Sequence, residues 1–172
     1  MSDVLPWLEY KWSLDFPVGM FRPLCERLRG TPGRLEEMLR SVPGPALVRQ
    51  EQGRWSIQEN AGHLWAIEEL WQTRFEQLLR GEARLVAADM TNRKTHEAGF
   101  NRKPLDEILR GFRAAREKTM RRLDPLTLAD APRVAHHPRL DTPMRLVDLS
   151  HFAAEHDDHH LAVICALLRS SA

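Results

Sequence analysis

Cysteine is nearly absent: the 172 residues hold two, Cys25 and Cys165. Each sits inside a helical apolar pattern, Leu24-Cys25-Glu26-Arg27-Leu28 and Ile164-Cys165-Ala166-Leu167, and reads as a buried reduced thiol rather than half of a disulfide or a nucleophile. An excess of either charge is missing as well. With 25 basic against 24 acidic side chains, no large field exists to draw phosphates or a membrane surface, which argues against nucleic acid as a partner. No stretch approaches the length of uncharged apolar sequence that spans a bilayer, and the N-terminus lacks a basic segment followed by an apolar run. A soluble, cytoplasmic protein that does not engage membranes is the expectation. Alternating apolar and β-branched runs long enough for a strand, internal repeats and low-complexity tracts are also wanting.

What the sequence does contain is helical periodicity. A first helix covers about residues 19–41, with Thr31-Pro32 in mid-pattern as a kink or as a restart capped by Thr31, and ends at Pro43-Gly44-Pro45. A second begins at Ser56, where Ser-Ile-Gln-Glu sets up a capping box with Glu59. It carries Ile57, Ala61, Leu64, Trp71, Phe75 and Leu78 to a stop at Gly81. The third runs from Pro104 through Leu105, Ile108, Phe112 and Met120 to Asp124-Pro125. A fourth opens near Thr142-Pro143 and continues to about Arg169. The expected fold class is therefore all-α, a helical bundle, in one domain over residues 1–172. Connections of roughly 14, 23 and 19 residues are long for a simple bundle and predict crossovers or functional lids. The longest, Glu82 to Lys103, is polar enough to line a site yet keeps apolar anchors. Before the first helix, an arm over residues 1–18 carries Trp7, Tyr10, Trp12 and Phe16, expected to pack against the bundle in preference to a second subunit.

The last helix carries the chemistry. Written as a heptad, Leu146, Leu149, Ala153, His156, His160, Val163 and Leu167 share one a/d seam, so two imidazoles replace core side chains on the buried stripe. A buried imidazole without a partner costs about 1–3 kcal/mol, and a metal ion takes up both lone pairs most simply. His159 and His151 fall off the seam and read as solvent-facing. Two imidazoles leave half of a tetrahedral shell empty, so a third ligand must come from another helix. His63, at the margin of the stripe marked by Ile57, Leu64 and Trp71, is the candidate. Three neutral imidazoles without a thiolate suit Zn²⁺, Ni²⁺ or another divalent first-row ion and leave a position for substrate, which implies chemistry more than scaffolding.

Three segments, Arg54-Trp55-Ser56-Ile57-Gln58-Glu59-Asn60-Ala61-Gly62-His63-Leu64, His137-Pro138-Arg139-Leu140-Asp141-Thr142-Pro143 and His156-Asp157-Asp158-His159-His160-Leu161-Ala162-Val163-Ile164, resemble the DinB-like (YfiT-like) metal-dependent family. Leu28 to Leu35 matches its first helix. The resemblance implies a four-helix bundle in an up-down-down-up arrangement, often dimeric, so a homodimer is expected. It also implies metal on His63, His156 and His160, the three residues that the seam selects. Family members include bacillithiol- and mycothiol-dependent transferases. By that resemblance the metal binds and deprotonates a low-molecular-weight thiol, which attacks a small-molecule electrophile in stress response or detoxification.

Neighbouring residues have readings of their own. Asp157 follows His156 as glutamate follows histidine in His-Glu-x-x-His metalloproteases, but its place beside the seam favours a solvated or metal-flanking carboxylate. Glu59 caps its helix and could also accept the outer N–H of His63. His96 and Asn101 could reach the open position from the long loop, and His136-His137 suggests a turn near the mouth of the site. Two alternatives compete with the thiol transferase: a metal-dependent hydrolase that activates water with a base such as Asp157, and a non-catalytic metal-binding bundle.

Overall fold

The computed structural model describes residues 4–51 and 53–170; the first three residues of the N-terminal arm lie outside them. Four long helical stretches dominate: α1 (Phe21–Leu39), then, after the short α2 (Gly44–Leu47), α3 (Ile57–Ala66) continued by α4 (Glu68–Leu79). After the short α5 (Arg93–Glu97) come α6 (Leu105–Leu123) and α7 (Leu146–Ser170). Inter-helix bonds set their directions. Arg22 of α1 donates to the Asp124 carbonyl beyond α6, and Arg113 meets Glu36, so α1 and α6 run antiparallel. Thr31 bonds Asp157 and Arg34 bonds Asp158, so α1 and α7 run parallel. Gln58 reaches the Lys103 carbonyl and Gln72 the Ala115 carbonyl, which makes α3–α4 parallel to α6. The bundle is up-down-down-up, and the long connection between α4 and α6 follows because parallel neighbours cannot be joined by a tight turn.

Local chemistry explains the boundaries. Ser56 Oγ accepts the Glu59 N–H at 3.0 Å while Glu59 Oε2 accepts the Ser56 N–H at 2.8 Å, the capping box expected at the start of α3. The stop at Gly81 has φ +72°, a left-handed conformation that glycine adopts without a Cβ clash. Between the two, one residue, Ile67, interrupts what the pattern reads as a single helix.

Thr31 is not a cap: α1 runs unbroken through Pro32. Proline has no N–H for the carbonyl four residues back, and Arg116 Nη1 donates to that Leu28 oxygen instead, at 2.6 Å. Residues 142–145, expected to open the last helix, form a strand. β2 (Thr142–Arg145) pairs antiparallel with β1 (Val134–His137), in register Val134 with Arg145 and His137 with Thr142. The turn uses Asp141 at φ +50°. Four residues are too few to display a period of two, which is why the pattern missed them. The α7 start is fixed by Asp148, whose Oδ2 accepts the Arg145 N–H at 2.8 Å.

Apolar packing forms two clusters. One gathers Phe21, Leu24, Leu28, Trp71, Phe75, Leu149 and Phe152; the other gathers Leu35, Leu39, Ile57, Leu64, Ile108, Phe112, Leu161 and Ile164. Along α7, His156, Asp157 and His160 fall between Ala154 of the first and Leu161 of the second. Polar groups therefore occupy the layer between the clusters. Past that layer the buried stripe shifts to Leu161 and Ile164, leaving the seam positions Val163 and Leu167 only partly buried, as a 3.6-residue helix drifts from a 3.5-residue repeat.

Candidate metal centre

His63 on α3 and His156 and His160 on α7 point into that layer and are 4%, 5% and 7% exposed. One ring nitrogen from each lies within 4.8 Å of the others. His63 Nε2 and His156 Nε2 are 3.3 Å apart. Two nitrogens held about 2.05 Å from one ion at a tetrahedral angle are about 3.3 Å apart, so this separation matches an edge of a zinc-type shell.

Partners on the outer nitrogens of His160 and His63 suit the tautomers that ligate. Asn60 Nδ2 donates to the Ser56 carbonyl at 2.8 Å, which fixes the amide so that Oδ1 faces His160 Nδ1 at 2.9 Å. An amide oxygen only accepts, so His160 carries its proton on Nδ1 and its Nε2 lone pair is free. Thr95 Oγ1 stands 2.9 Å from His63 Nδ1 and accepts its N–H in the tautomer that frees Nε2. His156 Nδ1 is buried without a hydrogen-bond partner among the described residues. Burial lowers His63 to about 4, helped by His159 and His96, and holds His156 and His160 well below 6.5, with the neighbouring histidines adding to it. All three rings are neutral at pH 7, the form that ligates. Oriented, neutral and convergent, the donor set fits a divalent ion.

The other sequence candidates lie elsewhere. Asp157 is neither solvated nor against the imidazoles. It is 0% exposed and accepts from Arg116 Nη1 at 2.7 Å and Thr31 Oγ1 at 2.8 Å on the far flank of α7. Glu68 completes that network, taking Arg116 Nη2 at 2.6 Å. Burial alone would lower the Arg116 pKa, but the Asp157 and Glu68 carboxylates outweigh it and keep the guanidinium charged. Glu59 bonds Gln50 and its own cap; Thr95 takes the role considered for it at His63. Asn101 accepts from Ser56 Oγ at 2.6 Å, fastening the long loop to the start of α3. His96 is exposed, its ring 5.7 Å from that of Trp55. His151 and His159 are half-buried rather than solvent-facing, because the N-terminal arm covers them: Trp12 and Phe16 lie on His151, Trp7 and Tyr10 on His159. Cys25 is buried, its thiol pushed up to about 11 by burial, and Cys165 is half-buried.

A cleft of about 220 Å³ opens onto the three histidines. Trp7, Trp55, Trp71 and Phe152 give it aromatic walls, while Arg74, His137 and Arg139 give it a polar end. The Trp7 ring stands edge-on to His156 at 5.1 Å, and the Trp55 ring lies 4.8 Å from His63. Of these, the sequence pointed to the histidine pair at 136–137 as lying near the mouth and placed Trp71 on the stripe beside His63. Asn60 carried a readable signal, one helical turn before His63; Thr95, Trp7 and the arginines meet the site through contacts remote in sequence.

The sequence profile of the DinB superfamily matches residues 27–164. Among solved structures, the fold is similar to that of a Bacillus subtilis protein described in the words "YfiT from Bacillus subtilis is a probable metal-dependent hydrolase with an unusual four-helix bundle topology". The TM-score is 0.81 at 19% identity, covering 95% of this chain and 94% of that one. At that identity the likeness is one of fold. No curated protein matches the sequence.

Proposed function

Because the chain belongs to the DinB superfamily, we propose that it is a divalent-metal-dependent enzyme in which His63, His156 and His160 hold Zn²⁺ or Ni²⁺ and a small thiol is the nucleophile. The observation that carries this reading is the convergence of three neutral, buried imidazoles at the head of an aromatic cleft. A divalent ion held there would supply the Lewis acidity to ionise a thiol of ordinary pKa about 8.5 near neutrality. The surrounding chain supports a nucleophile that needs no base. Asp89 is the one carboxylate lining the cleft among the described residues, and its oxygens accept from Thr91 and from the Arg93 N–H. Trp7, Trp55 and Phe152 exclude water and hold an organic electrophile beside the histidines. In the transfer, sulfur bonds the electrophilic carbon, the leaving group departs with its electron pair, and the thiol proton passes to solvent.

The second reading is a metal-dependent hydrolase, favoured by the words used for the similar Bacillus subtilis structure. Asp157 does not serve it, since that carboxylate is committed to Arg116 and Thr31. Turnover of a panel of electrophiles and esters by zinc-loaded protein, with and without bacillithiol or mycothiol, separates the two. A transferase turns over only with thiol and acquires a metal–sulfur contact in X-ray absorption. Thiol-independent ester cleavage, abolished by His156→Ala, would replace the first reading with the second.

A further inference from the structure

The polar end of the cleft holds cations and donors with no acid among the described residues to match them. Arg74 is 2% exposed. Its Nε donates to the Val86 carbonyl at 3.0 Å and its guanidinium lies 5.7 Å from the Trp71 ring centre. Arg139 lies 5.6 Å from the Phe152 ring centre, and its buried Nη2 has no hydrogen-bond partner among the described residues. His137 Nδ1 accepts the Leu140 N–H at 3.2 Å, so the ring proton sits on Nε2. That Nε2 is likewise buried without a partner, as is Trp71 Nε1. These groups surround one ring: His137 and Trp71 have centres 5.1 and 6.0 Å from that of Phe152, and Trp71 is 5.4 Å from His156. Asp89, the acid lining the cleft, is occupied by its own turn.

Every unmatched atom at this end is a donor, and two guanidinium charges stand beside them. A ligand that satisfies such a set must accept hydrogen bonds and carry negative charge, and a guanidinium fork matches the oxygens of carboxylate or phosphate. The geometry points to an anion subsite in which Arg74, Arg139, His137 and Trp71 bind a carboxylate or phosphate group of the substrate, directing its reacting end toward His63, His156 and His160. That direction rests on the metal reading above; the anion contact itself does not.

The test titrates the full-length, chelator-stripped protein with succinate, with inorganic phosphate and with succinamide, following heat and tryptophan fluorescence. Arg139→Gln and Trp71→Phe are run alongside, and zinc uptake is measured separately on all three proteins. Succinate or phosphate binds and neutral succinamide does not; the tighter of the two anions identifies the substrate's group. Arg139→Gln weakens binding by about tenfold or more, and Trp71→Phe, which loses one neutral donor, by about three- to tenfold, with zinc uptake kept in both. Absence of anion binding at tens of millimolar, or wild-type affinity in both variants, overturns the inference. A protein that takes up zinc but no anion retains the metal reading and loses this one; anion binding without zinc uptake does the reverse.

Discussion

At the scale of single residues, the outer hydrogen bonds of the imidazoles matter as much as the rings. Asn60 holds His160, and Thr95 stands behind His63. Removing such a partner typically costs 10–100-fold in metal affinity (about 1.4–2.7 kcal/mol) because the ring loses its orientation and basicity. Asn60→Ala and Thr95→Val are therefore expected to weaken zinc binding by about that factor in competition with a chromogenic chelator; unchanged affinity would remove them from the site. His63→Ala and His156→Ala are expected to carry little metal where the native chain carries about one ion. The convergence of the three histidines was legible in the sequence because His156 and His160 break an apolar seam where polar rings are costly and His63 borders the stripe of a neighbouring helix. Thr95 was not, because nothing near it in sequence records that its hydroxyl packs on a helix 32 positions away.

At the scale of elements, the long connection is pinned over the site at named points. Phe100 sits against Gly62, where an added Cβ would stand 2.2 Å from the ring. Gln58 holds the Phe100 and Lys103 carbonyls. Gly62→Ala is expected to cost about 1–3 kcal/mol by overpacking, and to weaken zinc binding too, since the displaced loop carries Thr95. A fall in melting temperature without a fall in affinity would uncouple loop from site. On the opposite flank of α7, Asp157→Asn breaks a buried pair with Arg116 and is expected to destabilise by about 3–5 kcal/mol. Zinc affinity and turnover per folded molecule should stay as they were. Loss of turnover at unchanged stability would return Asp157 to a catalytic role. The helices themselves were legible from caps, stops and periodicity. The break at Ile67, the hairpin and the uninterrupted α1 were not, because tertiary partners decide them: Arg116 supplies the donor that Pro32 lacks, and β1 and β2 exist by pairing with each other.

At the scale of the whole molecule, the buried histidines set the acid limit of the fold. Burial lowers His63 to about 4 and holds His156 and His160 well below 6.5; burial together with the charges of Arg74, Arg139 and His136 lowers His137 to about 3. Below about pH 6.5 the unfolded chain protonates all four while the native chain does not, so stability present above that pH is lost as pH falls toward 4. Each histidine contributes a slope of about 1.4 kcal/mol per pH unit inside the window, and four together erase a stability of about 5–15 kcal/mol within about one to three units. Metal-free protein followed by circular dichroism is expected to unfold between about pH 3.5 and 5.5; a melting temperature flat from neutrality to pH 4 would contradict this. The arm, the two apolar clusters and the polar layer between them all serve to keep three rings neutral, buried and aimed at one point. X-ray absorption at the zinc edge of protein purified without chelator and loaded with one equivalent tests that convergence most directly. Three imidazole nitrogens at about 2.0–2.1 Å are expected in the native chain, and in His63→Ala, which retains little metal, that imidazole shell is expected to be lost. A shell of oxygen ligands, or a spectrum indifferent to His63→Ala, would contradict it.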